Sequence, residues 1–185
     1  MAGLLLTGGA SRRMGTDKAR IRVSGIPLAE HVAAILNQVA APVLEVGPGH
    51  SGLPTAPEAT SGQGPLAALA DGHRALLARG HVGDVLVLAT DLPLIDAATL
   101  VALRDWPAPG SVVPRHGGRP QPLCARWSPA DLAVIPDLLR RGERALAPLL
   151  RRPDVALVNL PDPRPLEDAD TPADLDALGL DWRPS

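Results

Sequence analysis

Short, wholly apolar runs recur along this chain, each bounded by Gly or Pro and each followed by a longer stretch with helical spacing. "GLLLTG" (residues 3–8) reads as a strand buried on both faces, because no charged residue interrupts it. "LAEHVAAILNQVA" (residues 28–40) puts Leu28, Val32, Ile35, Leu36 and Val39 on one helical face. "PVLEVG" is a second strand, and "GPLAALADGHRALLARG" a second helix ended by Gly80, with Arg79 in its last turn. "GDVLVLATDLP" is the clearest strand, and "DAATLVALRDW" the helix after it, with Asp96 as its cap. Parallel strands need long crossovers, usually helical, so this alternation predicts an α/β fold. The expected form is one Rossmann-like domain over residues 1–185, a mostly parallel sheet with helices on both faces.

The second half is less regular. "SVVPR" and "QPLCARW" read as strands separated by the turn "HGGRP". "SPADLAVIPDLLRRG" predicts a helix with Ser128 as cap and Pro129 at its first position. "DVALVNL" is a late strand, and "TPADLDALG" a short helix capped by Thr171. Residues 47–65 are rich in Pro, Gly and Ser and read as a long surface loop of the kind that is usually functional or disordered.

Composition excludes several classes. A formal net charge of -2 argues against a broad nucleic-acid surface or an anionic membrane as partner. One Cys excludes an internal disulfide and fits a reducing compartment, so a cytoplasmic location is expected. With three Trp and no Phe or Tyr, the core must be aliphatic.

In an open parallel sheet, ligands bind beyond the carboxyl ends of the strands. "TGGASRRMGTDK" lies at such an end. Its glycines admit positive φ and close approach to the amides, and Arg13 and Lys18 add full positive charges. A triphosphate suits that cradle; the bland alternative is a simple turn with solvated basic residues. No register of this loop supplies G-x-x-x-x-G-K-[ST], and G-x-G-x-x-G fails from Gly8 and from Gly9. Asp91 follows "VLVLA", which brings a carboxylate to the same sheet edge, where it suits Mg²⁺ or serves as a turn cap. Cys124 and Trp127 read as core, and the five His lie in no acid–base pattern.

The segment "LTGGASRRMGTDK" resembles the L-x-G-G-x-S-x-R-M-G-x-D-K signature of the molybdenum cofactor guanylyltransferases, which have a nucleotidyltransferase fold; Thr7, usually Ala, is a departure. "GPLAAL", "LATDLPLID", "RPQPLCARW", "RGERALAPLL" and "DADTPADL" resemble further segments of that family, in order. The resemblance implies Mg²⁺-dependent transfer of GMP from GTP to the terminal phosphate of molybdopterin cofactor, with release of pyrophosphate. It assigns catalysis to Lys18, Arg13 and Asp91, and nucleotide binding to Leu6, Thr7, Gly8, Gly9, Ala10, Ser11, Lys18, Gly64 and Asp91; Ser61 and Gln63, where the family differs, are expected near the base of the nucleotide as well. Arg119 and Gln121 fall to the acceptor, and Asp91 and Asp168 to the metal. Asp168 or Asp170 could instead cap the last helix. Partners are then GTP and molybdopterin cofactor, with transient contact to enzymes that deliver or receive the cofactor left open; nucleic acid and membrane are not expected.

Two departures touch the base. The family has Asp shortly before G-P-L, where this chain has Ser61 to Gln63, and Asn where it has Gly47. Asp168 and Asp170 stand where Asn is usual, as in the related cytidylyltransferases. A CTP enzyme, one with another phosphate acceptor, or a non-catalytic nucleotide-binding domain are the alternatives.

Overall fold

The computed structural model describes residues 1–8, 18–56 and 62–184. In chain order the strands and helices are β1 (Ala2–Leu6), β2 (Arg22–Val23), β3 (Ile26–Pro27), α1 (Leu28–Val39), β4 (Val43–Val46), β5 (Thr55–Ala56) and α2 (Pro65–Ala78). Then come β6 (Val85–Ala89), α3 (Ala97–Arg104), β7 (Val112–His116), β8 (Arg119–Pro120), β9 (Cys124–Trp127) and α4 (Pro129–Leu132). The chain closes with α5 (Ile135–Arg140), β10 (Ala156–Val158), α6 (Pro172–Ala177) and β11 (Trp182–Arg183).

The main sheet runs β10-β7-β9-β6-β1-β4-β5, with β8 paired to β7. Pairs β1–β4, β1–β6, β4–β5 and β7–β10 are parallel, whereas β9 runs antiparallel to both β6 and β7. The sheet is therefore mixed but mostly parallel, as the alternation of strand and helix patterns requires.

Alternate residues of each central strand feed opposite layers. Leu5, Leu86 and Leu88 pack with α1 and α3 residues such as Val32, Leu36 and Leu100. Leu4, Leu6, Val85 and Val87 pack with Leu66 and Leu69 of α2 and Ile135 of α5. Burying one such side chain contributes about 1.5–3 kcal/mol, which is why β1 and β6 are apolar at every position.

Local signals act where they are expected. Asp96 accepts from Thr99 N at 2.7 Å, Ser128 accepts from Asp131 N, and Thr171 forms a capping box with Asp174. Three features differ from expectation. The helix foreseen from Ser128 is split into α4 and α5, because Pro136 has no amide and its ring opposes the carbonyl four residues back. The long 47–65 segment contributes β5 to the sheet edge. Finally, β11 near the carboxyl end pairs with β2, forming a separate sheet β11-β2-β3. Trp182 there packs with Ile21, Ala169 and Leu175, which joins the segment after Lys18 to the one around Asp168. Among the described residues no helix is long and apolar enough to cross a membrane.

Candidate active site

The carboxyl ends of β4, β1 and β6 stand side by side, since Leu6 is in register with both Val46 and Ala89. Of the expected site residues this edge carries Leu6, Thr7, Gly8 and, just beyond β6, Asp91. Leu6 and Thr7 are buried and Gly8 is exposed just beyond them. Thr7 N donates to Val46 O at 3.1 Å, extending the β1–β4 pairing one residue past the strand. The Thr7 hydroxyl donates to Glu45, so a nucleotide contact at Thr7 falls to its main chain. Gly9, Ala10, Ser11, Arg13 and Ser61 lie outside the described residues. Lys18 begins a 3₁₀ turn, Lys18–Arg20, and its side chain is likewise outside the description.

Gly64 stands at the start of α2 with φ +90, and a Cβ there would lie 2.9 Å from the Arg144 carbonyl. Only glycine tolerates both conditions without strain. The same carbonyl accepts from Leu66 N at 3.2 Å, so the helix start is stitched to the "RGERALAPLL" segment. Gln63, just before it, is exposed.

Asp91 lies two residues beyond β6 and is half-buried. Its main-chain carbonyl accepts from Ala169 N at 2.9 Å, which sets residues 168–170 directly beside it. Asp168 is exposed at that position. Neither Asp168 nor Asp170 is the cap of α6: Thr171 is, and the Asp174 carboxylate accepts from the amides of Asp170 and Thr171 at 2.8 and 2.7 Å.

Asp91 also borders a cavity of about 510 Å³. Asp91 and Gln121 line it together with apolar residues that include Leu92, Pro122, Leu146 and Leu150. Gln121 is held by its amide on Pro114 O at 2.8 Å and by its carbonyl accepting from Cys124 N at 3.0 Å. Arg119 is not brought into this wall; it is exposed on β8, opposite His116. Cys124, which also lines the cavity, is buried, and burial, with the Asp91 charge adding to it, pushes its thiol far above the ordinary range. A protonated, enclosed thiol is a packing group and not a nucleophile. Trp127 is fully buried and donates from Nε1 to Pro122 O at 3.0 Å, which braces the same turn.

Glu45 is the polar residue that motif reading passes over. It lies within β4 with no exposed surface. Oε1 accepts from Thr7 Oγ1, Gly49 N at 2.8 Å and His50 N at 2.9 Å, while Oε2 accepts from Ser51 N at 2.9 Å and Ser51 Oγ. Burial pushes this carboxyl up, but the hydrogen bonds from Ser51, Thr7 and the two amides outweigh it and hold Glu45 below its usual range. The available signal was one acidic residue inside an otherwise apolar strand, "VLEV".

A carboxylate just beyond β6 and an adjoining cavity thus lie at the edge formed by the carboxyl ends of β4, β1 and β6. The model of the MobA-like NTP transferase domain matches residues 3–156. A protein of Opitutus terrae named "Probable molybdenum cofactor guanylyltransferase" is 36% identical over 173 residues, covering 88% of this chain and 85% of its own. One of the same name from Mycobacterium tuberculosis H37Rv is 35% identical over 187 residues, covering 96% and 92%. The crystal structure of molybdopterin-guanine dinucleotide biosynthesis protein A from Archaeoglobus fulgidus superposes with a TM-score of 0.75 at 21% identity, covering 96% of each chain, which shows the shared fold. The chain therefore belongs to the MobA-like NTP transferase family and is a nucleotidyltransferase.

Proposed function

We propose that the protein, acting as one catalytic unit, transfers GMP from GTP to the terminal phosphate of molybdopterin cofactor, releasing pyrophosphate. The observation that supports this reading is the position of Asp91, two residues beyond the strand paired with β1 and in the wall of the cavity that Gln121 also lines. The relatives named molybdenum cofactor guanylyltransferase support GTP and molybdopterin cofactor as the two substrates; we assign GTP to the glycine-loop side and the pterin to the cavity.

The donors suit a hard cation. Among the described residues no group of three or more His, Cys, Asp or Glu gathers, so a resident ion would have few protein ligands. Mg²⁺ suits such a site, because it keeps waters and takes phosphate oxygens alongside one or two carboxylates. Asp91 would hold it, and the Ala169–Asp91 hydrogen bond brings Asp168 to the same side as the second carboxylate. When bound, the ion neutralises charge on the phosphates that meet there.

The protein's own task is positioning and charge. A phosphate monoester has a second pKa of about 6, so the acceptor is already ionised at neutral pH and no general base is needed. That agrees with the histidines: His81 Nε2 lies 3.0 Å from Asp84 O and His116 Nδ1 lies 3.2 Å from Pro163 O, and neither lines the cavity. The Gly8–Ala10 amides, Arg13 and Lys18 surround the triphosphate, Lys18 on the leaving pyrophosphate. Gln121 orients the acceptor against the apolar wall, and Arg119 attracts its phosphate from outside that wall. Gln63 and the main chain near Leu6 and Gly64 meet the base.

A CTP-using reading is kept alive by Gly47 and by Asp168 and Asp170, where the sequence leaves the guanylyl pattern. A thermal-shift panel of the four nucleoside triphosphates with Mg²⁺ tests the assignment, since a ligand of the native state raises the melting temperature by mass action. GTP should give the largest rise. A larger rise with CTP would replace the base assignment, and no rise with any triphosphate would overturn the nucleotide site.

A further inference from the structure

We propose that Glu45 is a positioning residue for the nucleotide, locking the loop of residues 47–51 to the start of the glycine loop. The inference rests on reading this sheet edge as the nucleotide site.

A carboxylate with no exposed surface is costly to bury unless its lone pairs are occupied. At Glu45 they are filled by five donors: Thr7 Oγ1, the amides of Gly49, His50 and Ser51, and Ser51 Oγ. All five are uncharged, so nothing here resembles an ion pair that merely staples two elements. The donors come from two places only, the residue preceding Gly8 and the loop that leaves β4. Those are neighbouring segments at the carboxyl ends of adjacent parallel strands, where this fold class takes its ligands.

Strand pairing alone sets β1 against β4 as far as the Thr7–Val46 hydrogen bond. Beyond it, the carboxylate does the work of a sheet: it turns three consecutive amides inward and fastens them to Thr7. Gly47 shows how closely the two segments meet. Its φ is +152, and a Cβ there would overlap Thr7 Oγ1 and lie 2.9 Å from Gly8 N. A side chain at 47 and the Thr7 hydroxyl compete for one space, and Glu45 holds the hydroxyl in it. The wall beside Gly8 is therefore main chain, and its shape depends on a residue that need not touch the ligand.

Glu45→Gln separates positioning from packing. Glutamine keeps the volume but turns one acceptor oxygen into an NH₂ donor, which must face backbone amides that can only donate. GTP–Mg²⁺ binding would be measured by calorimetry below the variant's own unfolding transition. Steady-state KM values for GTP and for molybdopterin cofactor would be measured alongside. We expect the Kd and KM for GTP to rise about tenfold or more, with the acceptor KM within about twofold of wild type. A folded Glu45→Gln protein with wild-type GTP affinity overturns the proposal, even with a lowered melting temperature. Should that variant not fold, Thr7→Val carries the test: it removes one donor and leaves the other four on the carboxylate. Unchanged GTP affinity there overturns the proposal equally, whereas a severalfold loss supports it. Wild-type protein that binds CTP in place of GTP would overturn the base assignment alone, and the same ratio measured with CTP then decides for or against Glu45. Wild-type protein that binds no nucleotide overturns the nucleotide site and this role with it.

Discussion

On one side of Asp91 the binding edge is polar main chain: Gly8, the loop of residues 47–51, and the buried carboxylate that aligns them. Bordering Asp91 as well is a cavity of about 510 Å³ walled largely by Pro, Leu and Ala, with Gln121 among them. On the proposed function the contrast follows from what each side would hold. Phosphates and a polar base are recognised by oriented dipoles, and dipoles must be fixed in direction, hence the network at Glu45. A flat heterocycle is held by excluding water, and for that a preformed apolar wall is enough. Changes on the first side should therefore act through charge and alignment, and changes on the second through volume.

The largest effect should come from the residue common to both sides. Asp91→Asn is expected to leave no measurable turnover and no Mg²⁺ response, with the melting temperature close to wild type. Asn caps a turn about as well as Asp, so an Asn variant with full Mg²⁺-dependent activity would reduce Asp91 to a cap. Next is Lys18→Ala, which should lower the rate roughly a hundredfold or more through loss of one charge at the pyrophosphate. The acceptor KM should stay put; if it rises while the GTP parameters hold, Lys18 belongs on the wrong side of the comparison.

A smaller effect is expected from Ala147→Trp, which fills the cavity from its exposed rim. The acceptor KM should rise about tenfold, the loss of roughly one good packing contact, while the Kd for GTP is unchanged. A change in GTP affinity instead would mean that the cavity is part of the nucleotide site.

The smallest effect is on acid stability. Glu45 and Asp131 both lie below the ordinary carboxylate range. Burial opposes this in each; at Asp131 the hydrogen bonds from Ser111, Arg152 and Ser128 prevail. A depressed folded pKa gives stability that is present above the unfolded value, about 4.3 for Glu, and is lost as pH falls through the folded one. The melting-temperature gap between wild type and Glu45→Gln should thus shrink as pH is lowered past 4.3, on the nucleotide side, just as the gap for Asp131→Asn does in the other half. A gap that stays constant down to about pH 3 would mean that Glu45 does not titrate in this range.

What the sequence made legible is what short-range chemistry controls. β1, β6, α1 and α2 follow from apolar runs and helical spacing, and Asp96, Ser128 and Thr171 cap where their side chains compete for exposed amides. β2, β3 and β11 were not legible, because strands of two residues carry no period and their pairing joins distant parts of the chain. The cavity was hidden for the same reason, since its walls come from four separate segments, around residues 65, 91, 120–124 and 144–150. Motif order brought Gln121 to that wall's account but not Arg119's place outside it. Glu45 carries no motif at all. Its meaning appears only once five donors converge on it.

The central claim is the reaction itself. Purified protein would be incubated with Mg²⁺, molybdopterin cofactor and either GTP or CTP, and both the dinucleotide product and released pyrophosphate quantified. With GTP, the account predicts guanine dinucleotide and pyrophosphate in equal amounts, and far less product from CTP. Product from CTP with none from GTP, or pyrophosphate released without any dinucleotide formed, would contradict it.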